Sequence, residues 1–230
     1  MILKRVIVKN INSIKKIIYY SFLGSFIGKF KTVLNLFRFR KKKNRFLEIG
    51  PGTKKIPGFE TLNIKFYAGI DFMLDASRKL PFRDNTFDVI YASHILEHIS
   101  WYKIKEVLGE WVRILKKGGV IEIWVPDGLK ISQAFINAEF NINDDFKKDG
   151  WYRFNPEQDP CIWFSGRTYS YGDGNSNYGD PNWHHSAFSY RFLEKTFMEL
   201  GLTEVKELNH DNVRGYDHGW INLGISGRKV

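Results

Sequence analysis

Glu48, Gly50 and Gly52 close a short apolar run, Phe46-Leu47-Glu48-Ile49-Gly50-Pro51-Gly52. A buried strand that stops at two closely spaced glycines delivers its carboxyl end to a ligand, because a side chain there would hold the backbone away. The carboxylate between them and the strand either orients a cationic group or caps the turn. Asn63, Asp75, Ser93 with His94, and Asp127 each stand at the end of a further short apolar run. Side chains of these types hydrogen-bond a polar ligand, and an imidazole or carboxylate among them can take up a proton. His94 and His98 are four apart, a spacing that puts two metal ligands on one helical face. No third ligand is evident beside them, so no metal site is expected. His184 and His185 form a second pair, in a segment rich in aromatics and glycine.

These groups need a frame that brings them to one edge, and the chain supplies alternating strands and helices. Strands are expected at 46–49, 60–64, 70–74, 86–91 and 120–125. Residues 100–115 carry Ile104, Val107, Leu108, Trp111 and Leu115 at helical spacing, an amphipathic helix. Lys116-Lys117-Gly118-Gly119 reads as its end, with cations in the last turn and glycine at the cap. Such alternation makes an open parallel sheet with right-handed crossovers, and ligands of such sheets bind above the carboxyl ends of the strands. Gly50, Gly52, Asn63, Asp75, Ser93, His94 and Asp127 would then share one rim.

Four blocks in this order carry a resemblance: Leu47-Glu48-Ile49-Gly50-Pro51-Gly52, then residues 80–90 (Leu80-Pro81-Phe82 through Phe87-Asp88-Val89-Ile90), then His94-Ile95-Leu96-Glu97-His98, then Leu115-Lys116-Lys117-Gly118-Gly119. The chain resembles the class I S-adenosylmethionine-dependent methyltransferases over about residues 45–128. Through Pro57-Gly58-Phe59 it is similar to a small subgroup linked to bacterial surface-glycan synthesis. The resemblance implies an α/β, Rossmann-like seven-stranded sheet with the last strand antiparallel and helices on both faces. It also implies S-adenosylmethionine as cofactor. Gly50 and Gly52 would admit its methionine part, and Glu48 would orient the ammonium group. Asp75 would accept from the adenine amino group unless it only caps the next turn, and Ala76 would offer its N–H to the ring. Ser93 and His94 would flank the sulfonium. Where the family has an acid for the ribose hydroxyls this chain has Asn63, which lacks a carboxylate's charge-assisted strength.

The charge is unevenly placed. Residues 1–45 hold thirteen of the Lys and Arg and no acid, so the rest of this +10 chain is −3. Ile7, Ile11, Ile14, Ile18, Phe22, Phe26, Phe30, Val33 and Phe37 recur through that arm every three or four residues. Residues 1–44 therefore read as a basic amphipathic helical arm, and 45–230 as the methyltransferase domain. The arm suits an anionic membrane surface, or packing on the domain or on a second copy of the chain; nucleic acid fits it least. Its longest uncharged run, 17–28, is twelve residues, short of the ~20 that span a bilayer. A single cysteine fits a reducing cytoplasm, so a cytoplasmic protein is expected, peripheral on the inner membrane face if the arm meets the membrane rather than protein.

An insertion at about 141–188 is the candidate acceptor site. Residues 151–190 hold eleven aromatics among Gly, Asn, Asp and Ser, and long loops of this kind are usually functional. Flat rings beside amides and carboxylates suit a sugar, so O-methylation of a hydroxyl in a glycan or its precursor is expected. Another small-molecule or protein acceptor, or a silent scaffold of the same fold, remains open. Candidate general bases are His185, His94 and Asp127, with His184 beside them. Residues 173–177 are similar to the start of a calcium loop, but Tyr178 and His184 replace its glycine and glutamate.

Overall fold

The computed structural model describes residues 22–52, 55–67, 69–150, 153–170 and 180–230. The stripe at Ile7, Ile11, Ile14 and Ile18, the run 173–177, and the aromatics Trp151, Tyr152, Tyr171 and Tyr178 lie outside those residues.

Seven strands form one sheet: β1 (Phe46–Ile49), β2 (Glu60–Asn63), β3 (Phe72–Met73), β4 (Phe87–Ser93), β5 (Leu115–Pro126), β6 (Leu202–Leu208) and β7 (Asn222–Lys229). Their order is β3-β2-β1-β4-β5-β7-β6. The first five run parallel, and β7 lies antiparallel between β5 and β6. This is the expected Rossmann-like α/β fold with helices packed around the sheet. The chain grows outward from β1 to β3 and then returns to place β4 on β1's other side. The ends of β1 and β4 therefore flank the crevice where such sheets bind ligands.

Side-chain alternation explains the packing. Leu47 and Ile49, Ile90 and Ala92, and Ile121, Ile123 and Val125 point into the main core. That core also takes Ile104, Val107, Leu108 and Trp111 of helix α2 (Ile104–Ile114). The opposite face carries Tyr91 and Trp124 against Ile56 and Phe59. Beneath β1 and β2, Arg45 Nη2 donates to buried Glu60 at 2.7 Å, tying the two strands together away from the ligand rim.

Two elements differ from expectation. Residues 116–119 do not cap α2. Residue 115 is already extended and pairs with Phe87, so β5 begins there. Lys229 Nζ donates to the carbonyls of Val112 at 2.7 Å and Leu115 at 2.8 Å, satisfying carbonyls that a glycine cap would otherwise serve. The insertion is also more ordered than its composition suggests. Asp159 caps helix α4 (Pro160–Tyr169) by accepting from Ile162 N–H, with proline in the first turn. Trp163 of that helix is fully buried against Ile131, Ala134 and Ala138 of α3 (Gly128–Glu139), with Phe146 and Ile221, as a second small core.

Helix α1 (Phe22–Arg38) lies along β3. It docks through a small, polar face: Gly24, Gly28, Thr32 and Asn35 are buried. Thr32 Oγ1 accepts from Met73 N–H at 2.7 Å, and Asn35 Nδ2 donates to the Asp71 carbonyl at 2.9 Å. At Gly28 an added Cβ would come within 2.6 Å of Met73 Sδ, so only glycine lets the helix approach this closely. Leu23, Phe26, Phe30, Val33, Leu34 and Phe37 face outward, each more than half exposed. The boundary expected between residues 44 and 45 thus falls after a helix that is packed on the domain.

Candidate functional site

Two clefts meet at the ends of β1 and β4. The first, of about 880 Å³, runs from the glycine loop past Asn63 to Asp75, Ala76 and Ile95. Gly50 shapes it: its φ is +70° and its N–H donates to the Leu62 carbonyl at 2.8 Å. A Cβ there would stand 1.9 Å from Ile95 Cδ1, whereas one on Gly52 would meet nothing within 4 Å. Tyr67 lies under the loop and donates to the Gly52 carbonyl at 3.2 Å and to the Pro51 carbonyl. Burial pushes its hydroxyl up to about 12, so it stays a donor. Asn63 Oδ1 accepts from Lys65 N–H at 3.0 Å. Asp75 caps its own turn, accepting from Ser77 N–H at 2.9 Å, Ser77 Oγ at 2.6 Å and Arg78 Nε at 3.0 Å. The Ala76 carbonyl is held by Trp111 Nε1 at 3.0 Å.

The second cleft, of about 800 Å³, shares Gly50, Gly52, His94 and His98 with the first and extends under the insertion. Glu48 and Ser93 line this cleft and not the first. Glu48 accepts from Ile56 N–H at 3.0 Å, and burial raises its carboxyl above the usual carboxylate range. His94 sits at φ +52°, a left-handed backbone that a non-glycine residue adopts at some cost. It is held there by its Nε2, 2.8 Å from Asn222 Oδ1, and by its ring, stacked on His218 at 3.6 Å. Glu97 is buried behind it. Burial alone would raise the Glu97 carboxyl, but the adjoining His94, followed by His98 and His184, outweighs that and holds it down at about 2. Burial lowers both His184 and His218 to about 4, so these rings are neutral near pH 7. Asp149, buried at the cleft wall, accepts from Trp163 Nε1 at 2.9 Å and pairs with Arg167.

Of the expected bases, His94 lines both clefts. Asp127 is spent as the cap of α3, accepting from Leu129 and Lys130 N–H groups at 2.9 and 3.2 Å. His185 is exposed and lines neither cleft; its backbone N–H bonds the Glu97 carbonyl at 2.7 Å. That bond, with the one from Ser186 N–H to the same carbonyl, instead carries His184 to the rim, where its ring lies 5.0 Å from that of His98. Sequence reasoning missed His218, Asp217 and Asn222. Their only signal is a polar, aromatic stretch, Tyr216-Asp217-His218-Gly219-Trp220, just before the last strand.

Residues 47–123 match a family model described as Methyltransferase domain, Methyltransf_11. That segment is similar to a methyltransferase domain. The match holds β1 to β5 and with them the glycine loop, Asn63, Asp75, Ala76, Ser93 and His94. An uncharacterized protein of Methanocaldococcus jannaschii is 38% identical over 79 residues, 31% of this chain and 33% of that protein, so the chain spans only a third of that relative. Solved structures similar to the chain include a Thermotoga maritima protein described as a possible histamine N-methyltransferase, at 19% identity and TM-score 0.44, covering 96% of this chain and 97% of that one. A methyltransferase structure from Archaeoglobus fulgidus has 18% identity and TM-score 0.45, covering 91% and 100%.

The match to a methyltransferase domain implies S-adenosylmethionine as the cofactor. The first cleft fits it: its volume suits a ligand of that size, Gly50 and Gly52 leave the loop backbone bare, and Leu74 and Ile95 offer apolar walls for a base.

Proposed function

We propose that the protein transfers a methyl group to a hydroxyl of a sugar, in a surface glycan or a glycan precursor. When bound, the cofactor supplies an electrophilic methyl group on a sulfonium. The observation that carries the reading is the junction of the clefts. An acceptor in the second cleft meets the first where both are lined by Ile49, Gly50, Gly52, His94, His98 and Asn182. Much of the acceleration in such an in-line transfer comes from positioning. The second cleft is built for it, with Tyr91 and Tyr216 beside Asp149, Arg167, Asn182 and Asp217, a mixture that suits ring faces and hydroxyls. Neutral His218, stacked on His94, accepts a hydrogen bond from the reacting hydroxyl, orients it and takes up its proton as the methyl group passes from the sulfonium, leaving S-adenosylhomocysteine. Incubating the protein with S-adenosylmethionine and nucleotide-linked or lipid-linked sugars, and measuring S-adenosylhomocysteine, tests this. Metabolite profiles of a deletion strain should lack one methylated sugar; if a methylated amine or protein disappears instead, the sugar reading fails.

The outward face of α1 supports a peripheral place on an anionic membrane. Its apolar residues are exposed, and Lys29, Arg38, Arg40 and Lys41 are exposed beside them. Rings buried at the headgroup level with cations around them bind anionic lipid. No helix among the described residues is long and apolar enough to cross a membrane. Co-sedimentation with phosphatidylglycerol vesicles should be lost in a Phe26→Ser, Phe30→Ser, Phe37→Ser protein. Retained sedimentation overturns the reading, and a shift of the wild type from dimer to monomer on these substitutions assigns the face to a second copy.

A further inference from the structure

Glu97 has an unusual setting for a carboxylate. It is 1% exposed, and neither carboxylate oxygen receives a hydrogen bond. A buried charge without hydrogen-bond partners is strongly unfavourable. Three imidazoles surround it, and each is anchored on its far side to an oxygen that can only accept. His98 Nδ1 lies 3.2 Å from the Trp183 carbonyl, and His184 Nδ1 lies 3.1 Å from the Arg167 carbonyl. His94 Nε2 lies 2.8 Å from Asn222 Oδ1, and the Asn222 amide is oriented by its own Nδ2 bond to Asp217 at 2.8 Å. Those anchored nitrogens carry the hydrogens. A neutral ring then has its lone pair on the other nitrogen. His94 presents Nδ1 to Glu97 Oε1 at 3.2 Å as a lone pair facing a carboxylate, unless a proton is added.

Donor atoms of Glu97, His98 and His184 all lie within 4.8 Å of one another. Lone pairs and a carboxylate gathered in a buried pocket repel unless a cation sits among them. We propose that Glu97, His98 and His184 bind a divalent transition-metal ion. Two imidazoles and a carboxylate suit Zn²⁺, Co²⁺ or Ni²⁺ better than Mg²⁺ or Ca²⁺, which take oxygen ligands. Ligands about 2.1 Å from a tetrahedral ion stand ~3.4 Å apart, so from separations within 4.8 Å the cluster need contract by at most about 1.4 Å on binding. Carbonyls on the far ring nitrogens are what fix such ligands in orientation. All three residues line the second cleft, so an open coordination position would take an acceptor oxygen. That last use rests on the methyl-transfer reading; metal binding itself does not.

The test is zinc titration by calorimetry of full-length protein that carries no histidine tag and has been stripped with chelator, with magnesium in parallel. One equivalent of zinc should bind and magnesium should not. Glu97→Gln and His184→Asn should each weaken zinc by about 100-fold, while S-adenosylhomocysteine binding shows that the variants are folded. If a variant fails to fold, the visible spectrum of the Co²⁺-loaded wild type decides. An intense tetrahedral band supports the site, and a weak octahedral spectrum overturns it. Absence of saturable zinc binding, or zinc affinity unchanged in both variants, also overturns it. Wild type that binds zinc but transfers no methyl group keeps the site and removes the proposed reaction instead.

Discussion

The two clefts share a border and are built on opposite principles. The first is made by residues 49–99 together with Pro181 and Asn182, and its shape is mostly backbone: a bare glycine loop and strand ends. The second draws on residues 48–98, 126, 149–170, 182–184 and 215–221, and its walls are side chains, many of them charged or imidazole. A cleft of turns tolerates change wherever a side chain merely borders it, but not where the backbone itself must come close. A cleft of converging side chains depends on the whole fold, because each wall is anchored somewhere else. On the proposed function, cofactor chemistry sits on the locally encoded part of the molecule, and acceptor choice on the part encoded over distance.

The largest expected effect tests the backbone cleft at its tightest point. Gly50→Val meets both a left-handed φ and the Ile95 side chain, and calorimetry should show loss of micromolar-range S-adenosylmethionine binding, about 8 kcal/mol. Trimming Ile95 to alanine in the same protein should not restore it, since the backbone strain remains. Next, Arg167→Met leaves buried Asp149 without its cation, which should cost about 3 to 5 kcal/mol of stability in urea unfolding. If stability barely moves, the second cleft is only loosely tied to the fold. His218→Ala should lower acceptor kcat/KM by about 10- to 100-fold and leave cofactor affinity within about twofold, a change of ~0.4 kcal/mol. A loss in cofactor affinity instead would merge the two clefts into one functional unit. The smallest effect sharpens the first cleft: Asn63→Asp keeps the acceptor for Lys65 N–H and adds charge toward a ribose, tightening cofactor binding by about 1 kcal/mol. Unchanged affinity would place the ribose contact elsewhere.

What was legible in the sequence follows the same division. Leu47 to Gly52 states a strand, a turn and a close backbone approach within six residues, and the structure has all three. The helix at 104–114 was legible because its stripe is local, whereas its end was not. A lysine 115 residues away holds its last carbonyls, and no nearby residue signals that. His184 could not be told from His185 by type or position. Two backbone hydrogen bonds to the Glu97 carbonyl decide which ring enters the cleft. In α1 the apolar period was plain but its direction was not. A short edge strand accepts a helix only at close range, so glycine, threonine and asparagine turn inward and the rings turn out.

The position of β7 has a consequence for how the molecule comes into being. It lies between β5 and β6, pairing with β5 from Val120↔Arg228 to Pro126↔Asn222. During synthesis β1 to β5, α1 and the glycine loop can condense as soon as they emerge, since their contacts are close in sequence. β6 has no strand to pair with until β7 arrives, and Asn222, which anchors His94, arrives with it. The nascent chain thus passes through a stage in which the first cleft can be organised while the second still lacks the wall made by residues 215–221. A cut that removes β7 should leave that half-assembled form, with the edge of β5 bare and ready to pair with another chain.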